Sequence, residues 1–333
     1  MSLPFDANCL PLAPFDLPYA DEAAAWAALL RWTPQIVTWP TPPTEPGWQL
    51  AAAGFPGLHA GTYVEQIAFE NAVEAHQLAF LRYDINHATV PAVARLTERL
   101  PWRIGDRPTM QAVLVGLYGP LSLGLTLVDA DESPLFANPL MHEVLTQHLA
   151  LRMGWLESQL AATCICLIEP FWDATGSPFM GYSTSEALQL VLETAALLHQ
   201  AVGLAPSGAV DWPPILRSAV RLVVCEPHQR EALLACGSCL NDYFDRDGVV
   251  VWAVVPSDPL QLAATSPMQL VAEWDALLHY ALARDVLNSR ILSGSLLTVD
   301  TGLMQQSTAT ADQALALLAE TSRLIRAKYK INE

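Results

Sequence analysis

Carboxylates and sulfurs placed just after short apolar runs are the residues of this sequence best suited to chemistry. Glu169 stands in Ile168-Glu169-Pro170-Phe171-Trp172, beside two aromatic rings. Such surroundings raise a carboxyl's pKa and fit it to hold a polar substrate or move a proton; the plainer role is to cap nearby backbone amides. Asp211, Asp258 and Asp300 also follow apolar runs, and each is equally suited to cap the helix after it. Cys225, Glu226 and His228 put three metal-ligand types within four positions. Neighbouring strand residues point to opposite faces, so these three converge only if the turn is tight and another loop adds ligands.

Cys236-Gly-Ser-Cys239 has the spacing of a redox pair or half a zinc knuckle. The apolar periodicity nevertheless continues through it, which places the pair inside a helix as two small core-facing residues at i and i+3. The segment Gly-Leu-Tyr118-Gly-Pro-Leu-Ser122-Leu-Gly carries three glycines that let backbone amides approach a ligand closely, beside Tyr118 and Ser122. It lacks the lysine and spacing of a phosphate-binding loop. The histidines are dispersed without a serine or aspartate partner, so a hydrolase triad has no support.

The elements that must position these residues alternate. Eight short runs rich in β-branched residues fall at 8–12, 35–39, 111–115, 164–168, 202–206, 221–225, 249–254 and 295–299. Helical periodicity covers 21–32, 65–82, 138–160, 184–201, 228–245, 267–285 and 309–329, with Ser183 and Glu186 at capping-box spacing and proline following Ser266. Eight strands alternating with helices predict a (β/α)₈ barrel, with an open doubly wound sheet as the competing architecture. Residues 40–62 are too rich in proline and glycine for a helix and read as a long excursion; 116–136 form a second. Both follow strands and so belong to the face where barrels carry their sites.

Composition bounds the function. The 333 residues are 52% hydrophobic and 15% charged, enough apolar surface for a large core, and predict one domain over 1–333. A net charge of −17, with Lys and Arg scattered, repels phosphates and anionic lipid surfaces, so neither nucleic acid nor membrane is an expected partner. No apolar run is long enough to span a bilayer, and the acids and prolines of the first residues are unlike a signal peptide; the cytoplasm is the expected compartment. Six cysteines in a chain this size imply reduced thiols.

The strand-end words, taken in order, carry a resemblance. They are WPTPP at 39–43, GLYGPLSLGLTLVD at 116–129, IEPFW at 168–172, VGLAPSGAVDW at 202–212, VVVWAVVPSD at 249–258 and LLTVDTGL at 296–303. Their order and spacing resemble the catalytic half of cobalamin-independent methionine synthase, in the superfamily that also holds uroporphyrinogen decarboxylase. The resemblance implies a TIM barrel with a methyltransferase-type site at the strand C-termini. In that family zinc, held by thiolates, an imidazole and an acid, ionises a substrate thiol for attack on a methyl group. The positions matching those ligands here are Ala205, Ser207, Glu226 and Thr301, and a methyl group and two hydroxyls cannot replace soft ligands. The metal site is therefore expected to be degenerate, with no cofactor, unless zinc uses ligands other than the family's.

The family's acid pair before proline has become Ile168-Glu169, which weakens the expectation of an amino-acid substrate. The resulting expectations are Glu169 and Asp300 as catalytic groups, and Tyr118, Ser122, Trp172, Ser207, Asp211 and Asp258 as substrate-binding groups. The expected partner is a small organic ligand, with a methyl donor or a corrinoid as candidates. Two other readings stand beside this one: a non-catalytic barrel that binds a ligand or partner, and a uroporphyrinogen decarboxylase-like enzyme, for which strand-end arginines are few.

Overall fold

The computed structural model describes residues 3–331 except 42, 44–46, 56, 60–61, 65–108, 161–162 and 178–181. Eight parallel strands form one sheet: β1 Leu10–Pro11, β2 Ile36–Thr38, β3 Ala112–Tyr118, β4 Thr163–Glu169, β5 Val202–Pro206, β6 Leu222–Cys225, β7 Val249–Val255 and β8 Ser295–Val299. Each pairs with its neighbour in chain order from β2 to β8, and β8 pairs with β1. The two end strands come back to one another. The Thr38 hydroxyl donates to the Ala13 carbonyl at 2.6 Å, and Asp16 and Thr41 form an isolated parallel bridge. The sheet is thus a nearly closed barrel with helices between its strands, and the open-sheet alternative is excluded.

Side chains alternate across this wall, so the apolar residues sort into two layers. Leu10, Leu12, Ile36, Leu114, Cys164, Cys166, Leu222, Val251 and Leu296 form one cluster, the packed barrel interior. Val37, Val113, Val115, Ile165, Leu167, Val223, Val250 and Leu297 join the other, between wall and helices. Burial on both faces is why the strands read as continuous apolar runs.

Helices start where the caps indicate. Asp21 accepts from Ala23 and Ala24 ahead of Glu22–Trp32, Ser183 and Glu186 make a full capping box ahead of Thr184–Thr194, and Ser266 caps Pro267–Leu282. Asn138 and Ser307 cap the long helices Pro139–Gln159 and Thr308–Tyr329. Among the described residues no helix is long and apolar enough to cross a membrane. The helix expected at 65–82 lies outside the described residues.

Four expectations need correction. The helix from 184 ends at Thr194, seven residues early. The stretch 228–245 is a short 3-10 turn and two short helices, Arg230–Leu234 and Ser238–Asp245, broken at Gly237. Within 116–136, β3 runs to Tyr118 and Pro120–Thr126 is helical. The 40–62 excursion holds a helix, Gly47–Ala52, despite its composition. Its C-terminal carbonyls have distant partners: Arg152 Nε donates to Leu50 O at 2.7 Å, Arg152 also donates to Ala53 O, and His148 Nε2 reaches Ala51 O at 3.0 Å. A buried cation on the orphan carbonyls of a helix end stabilises a segment too short to hold itself. Burial lowers the Arg152 pKa to about 9.

Candidate functional site

Strand C-termini open onto a cavity of about 280 Å³ at the barrel mouth. Its floor is the top of the barrel interior, with Leu12, Phe15, Ala205, Val224 and Val251. The Phe15 ring and the Ile168 side chain occupy the space that a side chain on Gly116 would take. The rim comes from the loops after β1, β4, β5 and β8: Pro14 and Asp16, Pro170, Pro206 and Ser207, then Asp300 through Gln305. Tyr118 closes one side.

Three carboxylates line this mostly apolar space, Asp16, Glu226 and Asp300, and among the described residues no Lys, Arg or His does. Burial raises the Asp16 carboxyl above its ordinary pKa. Burial, and then the Asp16 charge, raise the Tyr118 hydroxyl as well. Glu226 is raised first by burial and also by the neighbouring Asp300, against an opposing hydrogen bond from the Thr301 amide at 3.4 Å and the charges of His228 and Arg230. Asp300 accepts from the Ser257 amide at 2.5 Å, and the Ser257 hydroxyl donates to Thr301 O at 2.7 Å. The β7 loop thereby holds Asp300, and the β8 loop reaches Glu226 through the Thr301 amide. Arg230 stands nearby, but its guanidinium donates to the Ala253 carbonyl and does not line the cavity.

Of the expected site residues, Tyr118, Ser207 and Asp300 meet in the cavity, together with the positions Ala205, Glu226 and Thr301. The Ser207 hydroxyl is already donated to the Pro170 carbonyl. The others are elsewhere. Glu169 is fully buried behind the wall; its two oxygens accept from the Leu121 amide at 3.2 Å and the Ser122 amide at 2.8 Å. It supplies from β4 the helix cap that Gly119 has no side chain to make. The Ser122 hydroxyl accepts from the Phe171 amide at 3.2 Å, and Trp172 is a fully buried core residue. Asp258 caps Pro259–Ala264 through Leu260 and Gln261, and Asp211 precedes Trp212–Arg217, exposed and outside the cavity. For Glu169 and Asp258 capping is what the geometry shows.

The Cys225, Glu226 and His228 trio does not converge. Cys225 turns outward into the layer between wall and helices, where burial raises its thiol pKa, while Glu226 faces the cavity. His228 Nε2 instead reaches the Gly208 carbonyl at 3.2 Å. Among the described residues no group of three or more His, Cys, Asp or Glu is placed to hold a metal ion. Ala205 and Ser207 present a methyl group and an engaged hydroxyl, so the residues at the mouth do not fit a zinc ion held in the family's manner.

Asp16 was absent from the residues that sequence patterns singled out. Its signal was weak: Asp300 directly follows β8, whereas Asp16 lies five residues beyond β1, after Pro14-Phe15.

No family model matches this sequence, and no curated protein matches it. Among solved structures, one similar fold is a B12-independent methionine synthase from Shewanella sp. W3-18-1 in complex with selenomethionine, at 13% identity and a TM-score of 0.48. The match covers 66% of this chain and 64% of that one, less than two thirds of its length.

Proposed function

We propose that this chain is a methyltransferase-like barrel that binds a small organic molecule, neutral or positively charged, at the barrel mouth, and does so without zinc. The observation that carries the reading is a cavity walled by apolar side chains and three carboxylates with no basic side chain among the described residues. The methyltransferase-like character is supported by the strand-end words, several of which fall on cavity residues.

Size and charge select the ligand class. About 280 Å³ lies just below the usual range for organic-ligand pockets, which suits a small molecule and disfavours a corrinoid ring. An anion placed against Asp16, Glu226 and Asp300 meets like charges in a partly desolvated site, a penalty of several kcal/mol. That disfavours folates and porphyrinogens, which carry carboxylates, and with them the decarboxylase reading. A protonated amine gains hydrogen-bond acceptors, and its carbon skeleton packs on Phe15, Ile168 and Met304. Glu226, its pKa raised, is the cavity group best suited to take a proton from such a ligand.

The experiment is a thermal-shift comparison of hexylamine, hexanol and hexanoate on protein purified without chelator, with metal content measured on the same sample. Hexylamine is expected to raise the melting temperature most and hexanoate least. Asp300→Asn, which keeps the oxygen that accepts from Ser257, should weaken the amine about tenfold, or about 1.4 kcal/mol. Equal shifts from amine and carboxylate would overturn the charge argument, and stoichiometric zinc would overturn the metal-free site.

A further inference from the structure

The Cys236-Gly-Ser-Cys239 motif is not inside a helix. It is the break between two helices, with Cys236 in the turn after Arg230–Leu234 and Cys239 in the first turn of Ser238–Asp245. Gly237 has φ 51° and ψ −116°, and the Cys239 amide donates to the Cys236 carbonyl at 3.0 Å. These are the marks of a type II′ turn, whose first central position requires the left-handed φ that glycine supplies. A hydrogen-bonded β-turn holds its first and last Cα atoms within about 7 Å, the span a disulfide can bridge. Helical periodicity hid this, because Leu233, Leu234, Leu240 and Tyr243 are buried on both sides of the break.

The two sulfurs differ from the other four. Cys9, Cys164, Cys166 and Cys225 are buried, while Cys236 and Cys239 are only partly so. We propose that Cys236 and Cys239 are a redox-modification site: they form a reversible disulfide across this turn by exchange with a small-molecule disulfide.

The chemistry balances without a metal or cofactor. The Cys239 thiolate attacks one sulfur of the small disulfide, forming a mixed disulfide and releasing one small thiolate. The Cys236 thiolate then attacks Cys239 Sγ, closing the intramolecular bond and releasing the second small thiolate. The two cysteine protons end on the two released thiols; the cysteines are oxidised and the small disulfide is reduced. Burial, then the adjacent Cys239 and Asp211, push the Cys236 thiol up to about 11, so little of it is thiolate near neutral pH and the closing step quickens as pH rises.

The test is incubation of the whole, folded chain with excess oxidised glutathione, followed by thiol counting and intact and peptide mass analysis. Six free thiols less the two of this pair should leave four, with the mass of two hydrogens lost and the bond mapped to Cys236 and Cys239. Dithiothreitol should restore all six. Cys236→Ser should stop at a stable glutathione adduct on Cys239, because no second thiol resolves it. Six thiols remaining in the wild type, or stable adducts on both cysteines, would overturn the proposal; the mass map of the wild type decides this even if the variant fails to fold.

Discussion

Gly119→Ala is expected to be among the most destabilising single changes in the chain, with a loss of about 3 kcal/mol or more in denaturant unfolding. The added Cβ would lie 2.6 Å from the carboxyl carbon of Glu169. An exposed glutamate would swing aside, but Glu169 is fully buried and holds the amides of Leu121 and Ser122. Moving it strands two amide donors at the start of Pro120–Thr126 and leaves a buried carboxylate without partners. The change acts through Glu169, so the effect must be strongly non-additive. Glu169→Ala should be destabilising on its own, and Gly119→Ala should add little to it. Equal losses from Gly119→Ala in both backgrounds would show that the clash is not with this carboxylate.

Glu169 also gives the chain a pH-dependent stability. Burial raises its pKa from the ordinary 4.5 to about 7, against the opposing hydrogen bonds from the Ser122 side chain and the Ser122 and Leu121 amides. Because the folded pKa exceeds the unfolded one, this stabilising contribution is complete below about pH 4.5 and is lost as pH rises through about 7. The whole displacement is worth about 3 kcal/mol. Glu169→Gln cannot ionise and loses this dependence. Between about pH 5.5 and about pH 8 the stability difference between wild type and Glu169→Gln should move by about 2 kcal/mol in the variant's favour. Parallel stability curves for the two proteins would show that Glu169 ionises in the fold as readily as in the unfolded chain.

Both results concern a residue whose place was legible in the sequence and whose partners were not. That Glu169 ends a strand follows from the apolar run before it and the proline after it. That its oxygens meet the amides of Leu121 and Ser122 depends on β3 and β4 lying side by side, with Tyr118 opposite Ile168. The eight strands were legible for a related reason: a wall buried on both faces is written as continuous apolar runs, and VGLAP at 202–206, with one β-branched residue, still is β5. β1 has only two residues, Leu10–Pro11, and Asp16 stands five positions past it, so no strand end marks it in the sequence.

Local patterns failed where a distant residue decides the structure. Gly47–Ala52 is helical because Arg152 and His148, about a hundred positions on, hold its final carbonyls. The break at Gly237 was masked by apolar spacing that a helix and a helix-turn-helix share, and only the glycine's φ distinguishes them. The outward turn of Cys225 follows from strand alternation, which placed Glu226 in the cavity and its neighbour behind the wall.

Titration calorimetry of hexylamine decides whether the barrel mouth is the binding site. Three proteins are compared: wild type, Ala205→Trp, whose indole would fill much of the cavity of about 280 Å³, and Asp211→Asn, which removes an acid outside the cavity. Binding by wild type and Asp211→Asn with equal affinity, and none by a folded Ala205→Trp, is the predicted result. Undiminished binding by Ala205→Trp would contradict it, since the amine would then be held somewhere other than the mouth.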